Sequence, residues 1–174
     1  ANDRAEAALQ RARLEAEVRT AHLDDLTGAY RREMGRLALS HELDRARRRD
    51  GRFVLAFVDV DDLKGINDRD GHPAGDQALQ RVVSTMRQLL RSYDPIMRYG
   101  GDEFVAGMGG VDLDEAERRF GAIQATLRRE AGISITVGLA ALADGENADQ
   151  LTARADRALS SQRVAGRRGG NGSR

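Results

Sequence analysis

A continuous run of β-forming residues constrains the fold of this chain more than any other feature of its sequence. Residues Phe53 to Val58 are all apolar, and the run lies between Gly51 and a group of aspartates. A strand with one face in water alternates apolar and polar residues, whereas a strand covered on both faces is apolar throughout. The run therefore predicts the central strand of a sheet that helices cover.

The segments around this strand predict a single α+β domain. Apolar residues recur at helical spacing before the strand, after a polar loop that ends in Gly71-His72-Pro73, and in two later segments. Two β-forming segments, Ile96 to Tyr99 and Glu103 to Met108, flank a Gly-Gly pair, which is typical of a hairpin whose turn needs positive φ. A last strand alternates from Ile133 to Leu139, with its second face polar or thinly covered. The β-α-β-β-α-β order predicts an antiparallel central sheet with flanking helices, of the ferredoxin-like or palm type.

Composition excludes several classes of protein. The 28 Lys and Arg residues balance the 28 Asp and Glu residues, so bulk charge gives no reason to expect nucleic acid or direct membrane contact. The chain has no cysteine, which excludes disulfide scaffolds, thiolate zinc sites and cysteine nucleophiles. We therefore expect a cytoplasmic location, either alone or as the cytoplasmic part of a longer, membrane-anchored chain.

The two ends of the chain differ from its middle. Residues 1–22 contain neither Gly nor Pro and predict an N-terminal linker or signalling helix. Its heptad-like line is interrupted by Arg11, so a short dimeric coiled coil and a plain polar helix both remain open; the line consists of Ala7, Leu14, Val18 and Ala21. Residues 166–174 are Gly, Arg, Asn and Ser and predict a disordered tail, which leaves 23–165 as the domain. The absence of an initiating Met indicates a fragment of a longer chain.

Carboxylates follow two of the predicted strands closely. Asp59, Asp61 and Asp62 stand where the buried strand ends, and Asp102 and Glu103 follow the Gly-Gly pair. If the hairpin lies beside the central strand, these acids meet at one sheet edge. Such an edge suits Mg²⁺ or Mn²⁺, which prefer oxygen ligands and bring substrate phosphates with them. A solvated acidic loop beside an acidic turn is the alternative.

A few other residues are candidates for ligand contacts. Asn67 and Asp76 provide an amide and a carboxylate, which together can read the donors and acceptors of guanine. Arg163 and Arg167 are four positions apart on the predicted last helix, so they share a face that either binds phosphate or stays in water. Lys64 is the only lysine of the chain.

The segment Arg98-Tyr99-Gly100-Gly101-Asp102-Glu103-Phe104 resembles the signature of GGDEF domains, the diguanylate cyclases that condense two GTP into cyclic di-GMP. The resemblance covers about Leu23 to Gly166. Further motifs match in order: Asp24-Asp25-Leu26-Thr27-Gly28, Asp59-Val60-Asp61-Asp62-Leu63-Lys64, Asn67-Asp68, Gly71-His72-Pro73-Ala74-Gly75-Asp76 and Ala155-Asp156-Arg157-Ala158-Leu159. The resemblance implies a nucleotidyl cyclase fold and a nucleotidyltransferase activity.

This resemblance also implies a metal site. It assigns Asp59 and Asp102, with the carbonyl of Val60, to two Mg²⁺ or Mn²⁺ ions per active site, and it makes Glu103 an assisting catalytic residue. Two such ions support in-line phosphoryl transfer from GTP. The general base stays unassigned.

By the same resemblance, the GTP site takes residues from several motifs. The guanine readers are Asn67 and Asp76, with Leu26 and Leu79 as apolar walls. The phosphate-binding groups are the backbone amides of Asp62, Leu63 and Lys64, the turn residues Gly100 and Gly101, and the side chains of Arg163 and Arg167. The chain departs from the family where Leu63 replaces an aromatic residue and where Ser160 and Arg163 replace Tyr and Lys.

Arg91 and Asp94 stand at the position of the family's inhibitory RxxD site, which binds a dimer of the product. A surface ion pair is the alternative. The resemblance further implies catalysis by a homodimer and a sensor domain upstream in the full-length chain. Two other functions are open: a non-catalytic receptor for GTP or cyclic di-GMP, and a structural dimerisation module.

Overall fold

The computed structural model describes residues 22–49 and 51–169. The helices are α1 (Arg32–Arg47), α2 (Leu63–Asp70), α3 (His72–Leu89), α4 (Leu113–Ala131) and α5 (Ala148–Gly169). The strands are β1 (Phe53–Val60), β2 (Ile96–Arg98), β3 (Glu103–Gly109) and β4 (Ile135–Ala141). Within these ranges, no helix has both the length and the apolar character that crossing a bilayer requires.

The apolar run forms a central strand, as predicted. The sheet has the order β2-β3-β1-β4, and each neighbouring pair is antiparallel. Every residue of β1 is buried. The α+β class, with its four-stranded antiparallel sheet and flanking helices, is therefore confirmed.

Two apolar layers cover the sheet, one on each face. Val54, Ala56 and Val58 of β1 pack with residues of α3 and α4 in one buried cluster. Phe53, Leu55 and Phe57 pack with residues of α1 and α5 in the other. Because side chains alternate along a strand, Asp59 continues the second set and its side chain lies on the α1 and α5 face.

A helix replaces the polar loop that we expected after β1. Helix α2 places only Leu63 and Ile66 against the core, and both stay partly exposed. Two apolar residues among six polar or glycine positions give too weak a periodic signal to predict a helix. The helix ends at Gly71, whose φ of 86° is in the left-handed region that glycine adopts without a steric penalty.

The second face of β4 is covered closely, which also differs from our expectation. Gly138 and Ala140 point to this face and belong to the side of the sheet against which α5 packs. Small residues permit this contact because they let a helix backbone approach the strand. The strand itself begins at Ile135, two residues later than predicted.

The C-terminal end of the domain differs from our expectation, because its last helix is longer than predicted. Helix α5 runs to Gly169, so the first four residues of the predicted disordered tail are helical. An existing helix adds further residues at little cost, which allows it to continue through this polar segment. The predicted N-terminal helix, up to residue 21, and residues 170–174 lie outside the described residues.

Candidate active site

The end of β1 and the turn between β2 and β3 bring three acidic residues together. Asp59 pairs directly with Glu103 in the antiparallel ladder. The backbone N–H of Val60 donates a 3.0 Å hydrogen bond to the carbonyl of Asp102. The two acidic segments, one after β1 and one before β3, therefore lie side by side at one end of the sheet, as predicted.

Burial and mutual repulsion shape the charge of this edge. Asp59 is only 4 % exposed, and burial, with lesser contributions from Asp102 and Asp61, raises its pKa above the usual value despite the pairing with Arg163. Burial likewise raises the pKa of Glu103, and Asp59, Asp102 and Asp156 add to the effect. Carboxylates crowded in this way are stabilised by any cation that reaches them.

The turn before these acids is a four-residue connection, Tyr99 to Asp102. The backbone N–H groups of Tyr99 and Gly100 both donate to the carbonyl of Glu103, at 2.8 and 3.2 Å. Neither Gly100 nor Gly101 has a positive φ, so the expectation of a primed two-residue turn is wrong; the longer loop closes the hairpin without it. A Cβ at Gly101 would meet no atom within 4 Å, which leaves the backbone there open to a ligand.

Arg163 reaches the acidic edge from α5. Its guanidinium forms an ion pair with the carboxylate of Asp59, and its side chain is 42 % exposed. The side chain of Arg167, the second predicted phosphate contact on this helix, lies outside the described part of the structure.

The two aspartates after Asp59 are held by other elements. The carboxylate of Asp61 accepts 2.7 Å hydrogen bonds from the hydroxyls of Ser134 and Thr136, one on each oxygen. Asp62 adopts a left-handed conformation, with φ 54°, and pairs with Arg69 at 3.2 Å. Aspartate tolerates this conformation better than most residues.

Asp62, Leu63 and Lys64 lie at the N-terminus of α2, close in sequence to Asp59. The first N–H groups of a helix have no carbonyl partner within it, and the helix dipole adds a partial positive charge there. Such a terminus favours phosphate oxygens. Phosphate binding by these three residues stays a prediction.

The predicted guanine readers come from two helices that pack together. Asn67 lies on α2, and its Oδ1 atom is buried without a hydrogen-bond partner among the described residues. It lies against Gly75 of α3, where a Cβ would overlap it. Asp76, the next residue of α3, is exposed. Glycine at position 75 thus gives the Asn67 amide the space it occupies.

The apolar walls of the predicted pocket are also close to α3. Leu79 is buried in this helix, and the half-buried Leu26 packs against the same core cluster. The side-chain amide of Gln80 donates a 3.0 Å hydrogen bond to the carbonyl of Leu26, which fixes the loop to the helix.

The RxxD residues lie in the turn between α3 and β2. The backbone N–H of Arg91 donates a 2.9 Å hydrogen bond to Oδ2 of Asp94. The side chain of Asp94 is 1 % exposed, 3.9 Å from Arg119, and burial raises its pKa. Arg91 is exposed, and its guanidinium donates to the carbonyl of Gly109. Asp94 therefore organises the turn, and of the two RxxD residues it is Arg91 that faces the solvent.

A family model described as "Diguanylate cyclase, GGDEF domain" matches residues 21–169 of the chain. The chain belongs to the GGDEF domain family. This match confirms the resemblance found from the sequence motifs.

Individual relatives agree with the family match. This GGDEF domain is 32 % identical over 162 residues to the diguanylate cyclase DgcP of Pseudomonas aeruginosa, covering 88 % of this chain and 24 % of that protein. It is 32 % identical over 152 residues to the diguanylate cyclase DgcS of Shewanella oneidensis, covering 84 % and 51 %. The chain thus spans between about a quarter and half the length of these relatives.

Among solved structures, the coiled coil and GGDEF domain of DgcB from Caulobacter crescentus, in complex with c-di-GMP, matches with a TM-score of 0.86. The two chains are 26 % identical, and the match covers 95 % of this chain and 92 % of that one.

The donor set of the acidic edge fits a hard divalent cation. All its candidate ligands are oxygen atoms, and the buried Asp59 has like-charged neighbours. Within residues 22–49 and 51–169, no three His, Cys, Asp or Glu side chains already converge on one point. Mg²⁺ commonly takes one or two protein carboxylates and completes its shell with water and phosphate, so two carboxylates suffice.

An ion pair that the sequence did not predict connects Asp24 with Arg98. Nη1 of Arg98 lies 3.1 and 3.2 Å from the two carboxylate oxygens of Asp24, and Nη2 donates to the carbonyl of Gly101 at 2.7 Å. Burial acts to raise the pKa of Asp24, but hydrogen bonds from Thr27 and the charge of Arg98 lower it overall. The loop that follows residue 22 is thereby joined to the signature turn.

Proposed function

We propose that this GGDEF domain is a diguanylate cyclase that converts two GTP into cyclic di-GMP and two pyrophosphates. The observation that carries the proposal is the buried carboxylate of Asp59, paired with Glu103 across the sheet and next to Asp102. The N-terminus of α2 lies at the same end of β1, so a phosphate group can meet the carboxylates and the helix together. A receptor that only binds nucleotide needs no such acidic edge.

Each group of residues has a distinct part in this reaction. Asp59 and Asp102, with the Val60 carbonyl, would hold two Mg²⁺ or Mn²⁺ ions, which neutralise the triphosphate and acidify a bound hydroxyl. The α2 amides, Arg163 and Arg167 hold the β- and γ-phosphates in place. Asn67 and Asp76 read the guanine between Leu26 and Leu79.

The chemistry requires two domains. The 3′-hydroxyl oxygen of one GTP attacks the α-phosphorus of the other and gives up its proton to water. The bond to the β-phosphate breaks, and pyrophosphate leaves with its electron pair. The second bond forms in the same way with the roles exchanged. Since each domain would bind one guanine and contributes one acidic edge, two domains facing each other supply both nucleotides. We therefore propose a catalytic homodimer.

The full-length chain would control this dimer from outside the domain. The matched DgcB structure contains a coiled coil as well as a GGDEF domain, which supports a helical linker in residues 1–22. We propose that a sensor domain lies upstream of this linker. GTP is a cytoplasmic nucleotide, so the proposed activity also implies a cytoplasmic location.

The direct test is incubation of the chain with GTP and Mg²⁺ at several protein concentrations. Since the reaction needs two domains, we expect the rate per protein molecule to rise with concentration, up to about tenfold for each tenfold increase while monomers predominate. Nucleotides are separated by chromatography, and cyclic di-GMP is identified by mass. Tight GTP binding without product at any concentration would contradict the proposal and favour the receptor function.

We also propose that Arg91 belongs to an inhibitory product site. It lies beside Gly109, at the far end of β3 from Glu103. The two ends are six residue steps apart along β3, or about 20 Å, so a ligand at Arg91 acts outside the acidic edge.

Arg91→Ala is expected to raise the concentration of cyclic di-GMP needed for half inhibition by about tenfold, because charged hydrogen bonds to phosphate contribute roughly 1.5–3 kcal/mol. The measurement is the initial rate at increasing product concentration. Arg129→Ala removes the same charge from an exposed position on α4 and serves as the control. An inhibition curve identical to that of the unchanged chain would refute the site.

A further inference from the structure

The ion pair between Arg163 and Asp59 joins a residue assigned to the triphosphate with one assigned to the metal. We propose that Arg163 is an exchangeable counter-ion: it neutralises Asp59 in the ligand-free domain and transfers to the triphosphate when nucleotide binds. The divalent cation would then enter at Asp59 together with the nucleotide and bind poorly without it. This inference rests on the proposed function for the identity of the nucleotide.

Asp59 needs a cation in the absence of ligands. Its side chain is 6 % exposed, and it lies on the face of the sheet that α5 covers. An unpaired charge at such a position costs several kcal/mol, and the neighbouring carboxylates increase that cost. Arg163 provides the compensating charge from the chain itself.

Arg163 is also placed to leave. Its side chain is 42 % exposed, whereas its partner is almost fully buried. A long, half-exposed arginine can change rotamer without moving the backbone of α5. The neighbouring carboxylate of Asp61 is held differently, because each of its oxygens accepts a hydrogen bond from a hydroxyl group. Among the described residues it has no charged partner that a nucleotide could remove in this way.

The signs of the charges decide which ligand releases the pair. A free divalent cation approaching Asp59 is repelled by the guanidinium and must compete with an ion pair that is already formed. A triphosphate attracts the guanidinium, which binds phosphate oxygens with two parallel hydrogen bonds. Nucleotide binding therefore removes the competitor of the metal, and metal binding removes the competitor of the nucleotide, which makes the coupling reciprocal.

The test measures Mn²⁺ binding by the complete 174-residue chain without any turnover. Free Mn²⁺ is followed by its paramagnetic resonance signal, first without nucleotide and then with α,β-methylene-GTP, which cannot release pyrophosphate. In the absence of nucleotide, Arg163→Gln is expected to bind Mn²⁺ about tenfold more tightly than the unchanged chain. The enhancement of Mn²⁺ affinity by the nucleotide analogue should fall by about the same factor.

Two further variants isolate the cause. Arg157→Gln removes the same charge from the same helix, beside the Ala143–Glu146 turn, and should leave Mn²⁺ affinity unchanged within about twofold. Arg163→Lys keeps the charge and should remain close to the unchanged chain. Circular dichroism checks each fold, and Arg163→Met replaces Arg163→Gln if the latter does not fold.

Unchanged Mn²⁺ affinity in Arg163→Gln, or an equal change in Arg157→Gln, would overturn the exchange. The proposed function fails separately, if the unchanged chain makes no cyclic di-GMP from GTP. Tighter Mn²⁺ binding by Arg163→Gln alone would still support Arg163 as the counter-ion of Asp59 in that case.

Discussion

Replacing Asp59 with asparagine is expected to lower the rate of cyclic di-GMP synthesis by about a thousandfold or more, since loss of a metal carboxylate removes several kcal/mol of transition-state stabilisation. The carboxylate lies at the end of the fully buried strand β1 and directly opposite Glu103. Asparagine has the same shape and still accepts a hydrogen bond from Arg163, so the domain should remain folded. The neutral amide is, however, a poor ligand for a hard cation.

Asp61→Asn is the matched control for this result. It removes one negative charge two residues further along the chain, but its side chain is bound to Ser134 and Thr136. We expect it to reduce the rate by less than about tenfold, because a partly exposed charge has a limited effect at a distance. Rates are measured by nucleotide chromatography and the fold by thermal melting. Equal losses in the two variants would mean that general charge, and not ligation by Asp59, accounts for the effect.

The centre of the fold was predictable because local sequence alone determines it. The apolar run of β1 and the glycine pair of the hairpin are patterns within short windows. They place Asp59 at the end of β1 and Asp102 in the turn before β3. By contrast, α2 was missed because its stability comes from packing against α3, and packing leaves little trace in a polar segment. The prediction of a hairpin was correct, but the prediction of its turn type was wrong, since a glycine pair does not reveal the length of the loop.

Contacts between residues that are far apart in the chain could not be predicted from the sequence. Arg98 and Asp24 are 74 positions apart, and no spacing rule joins them. The RxxD pattern gave no sign that Arg91 and Asp94 share one turn or that the Asp94 carboxylate is buried. Arg119 of α4, which is distant in sequence, lies 3.9 Å from this carboxylate. The same holds for the ion pair of Arg163, which requires α5 to lie along β4.

That packing depends on Gly138, and Gly138→Ala is expected to destabilise the domain by about 3 kcal/mol. A Cβ at this position would overlap the carbonyl oxygen of Ala155 and the amide nitrogen of Leu159, and it would lie 2.8 Å from the Leu159 Cα. All three are backbone atoms of α5, so no side-chain rotation can relieve the overlap. The helix would have to move away from β4 and carry Arg163, one turn further on, away from Asp59.

Chemical denaturation measures this loss, and Gly121→Ala in α4 is its control. A Cβ at Gly121 would meet no atom within 4 Å, so alanine should stabilise the helix by about 0.5–1 kcal/mol. The same substitution should therefore lower the free energy of unfolding at position 138 and raise it at position 121. A difference of this kind is caused by the close approach of α5 to β4 and not by a general intolerance of added methyl groups. Similar midpoints for the two variants would contradict the prediction and show that the close approach of α5 to β4 at Gly138 contributes little to the stability of the domain.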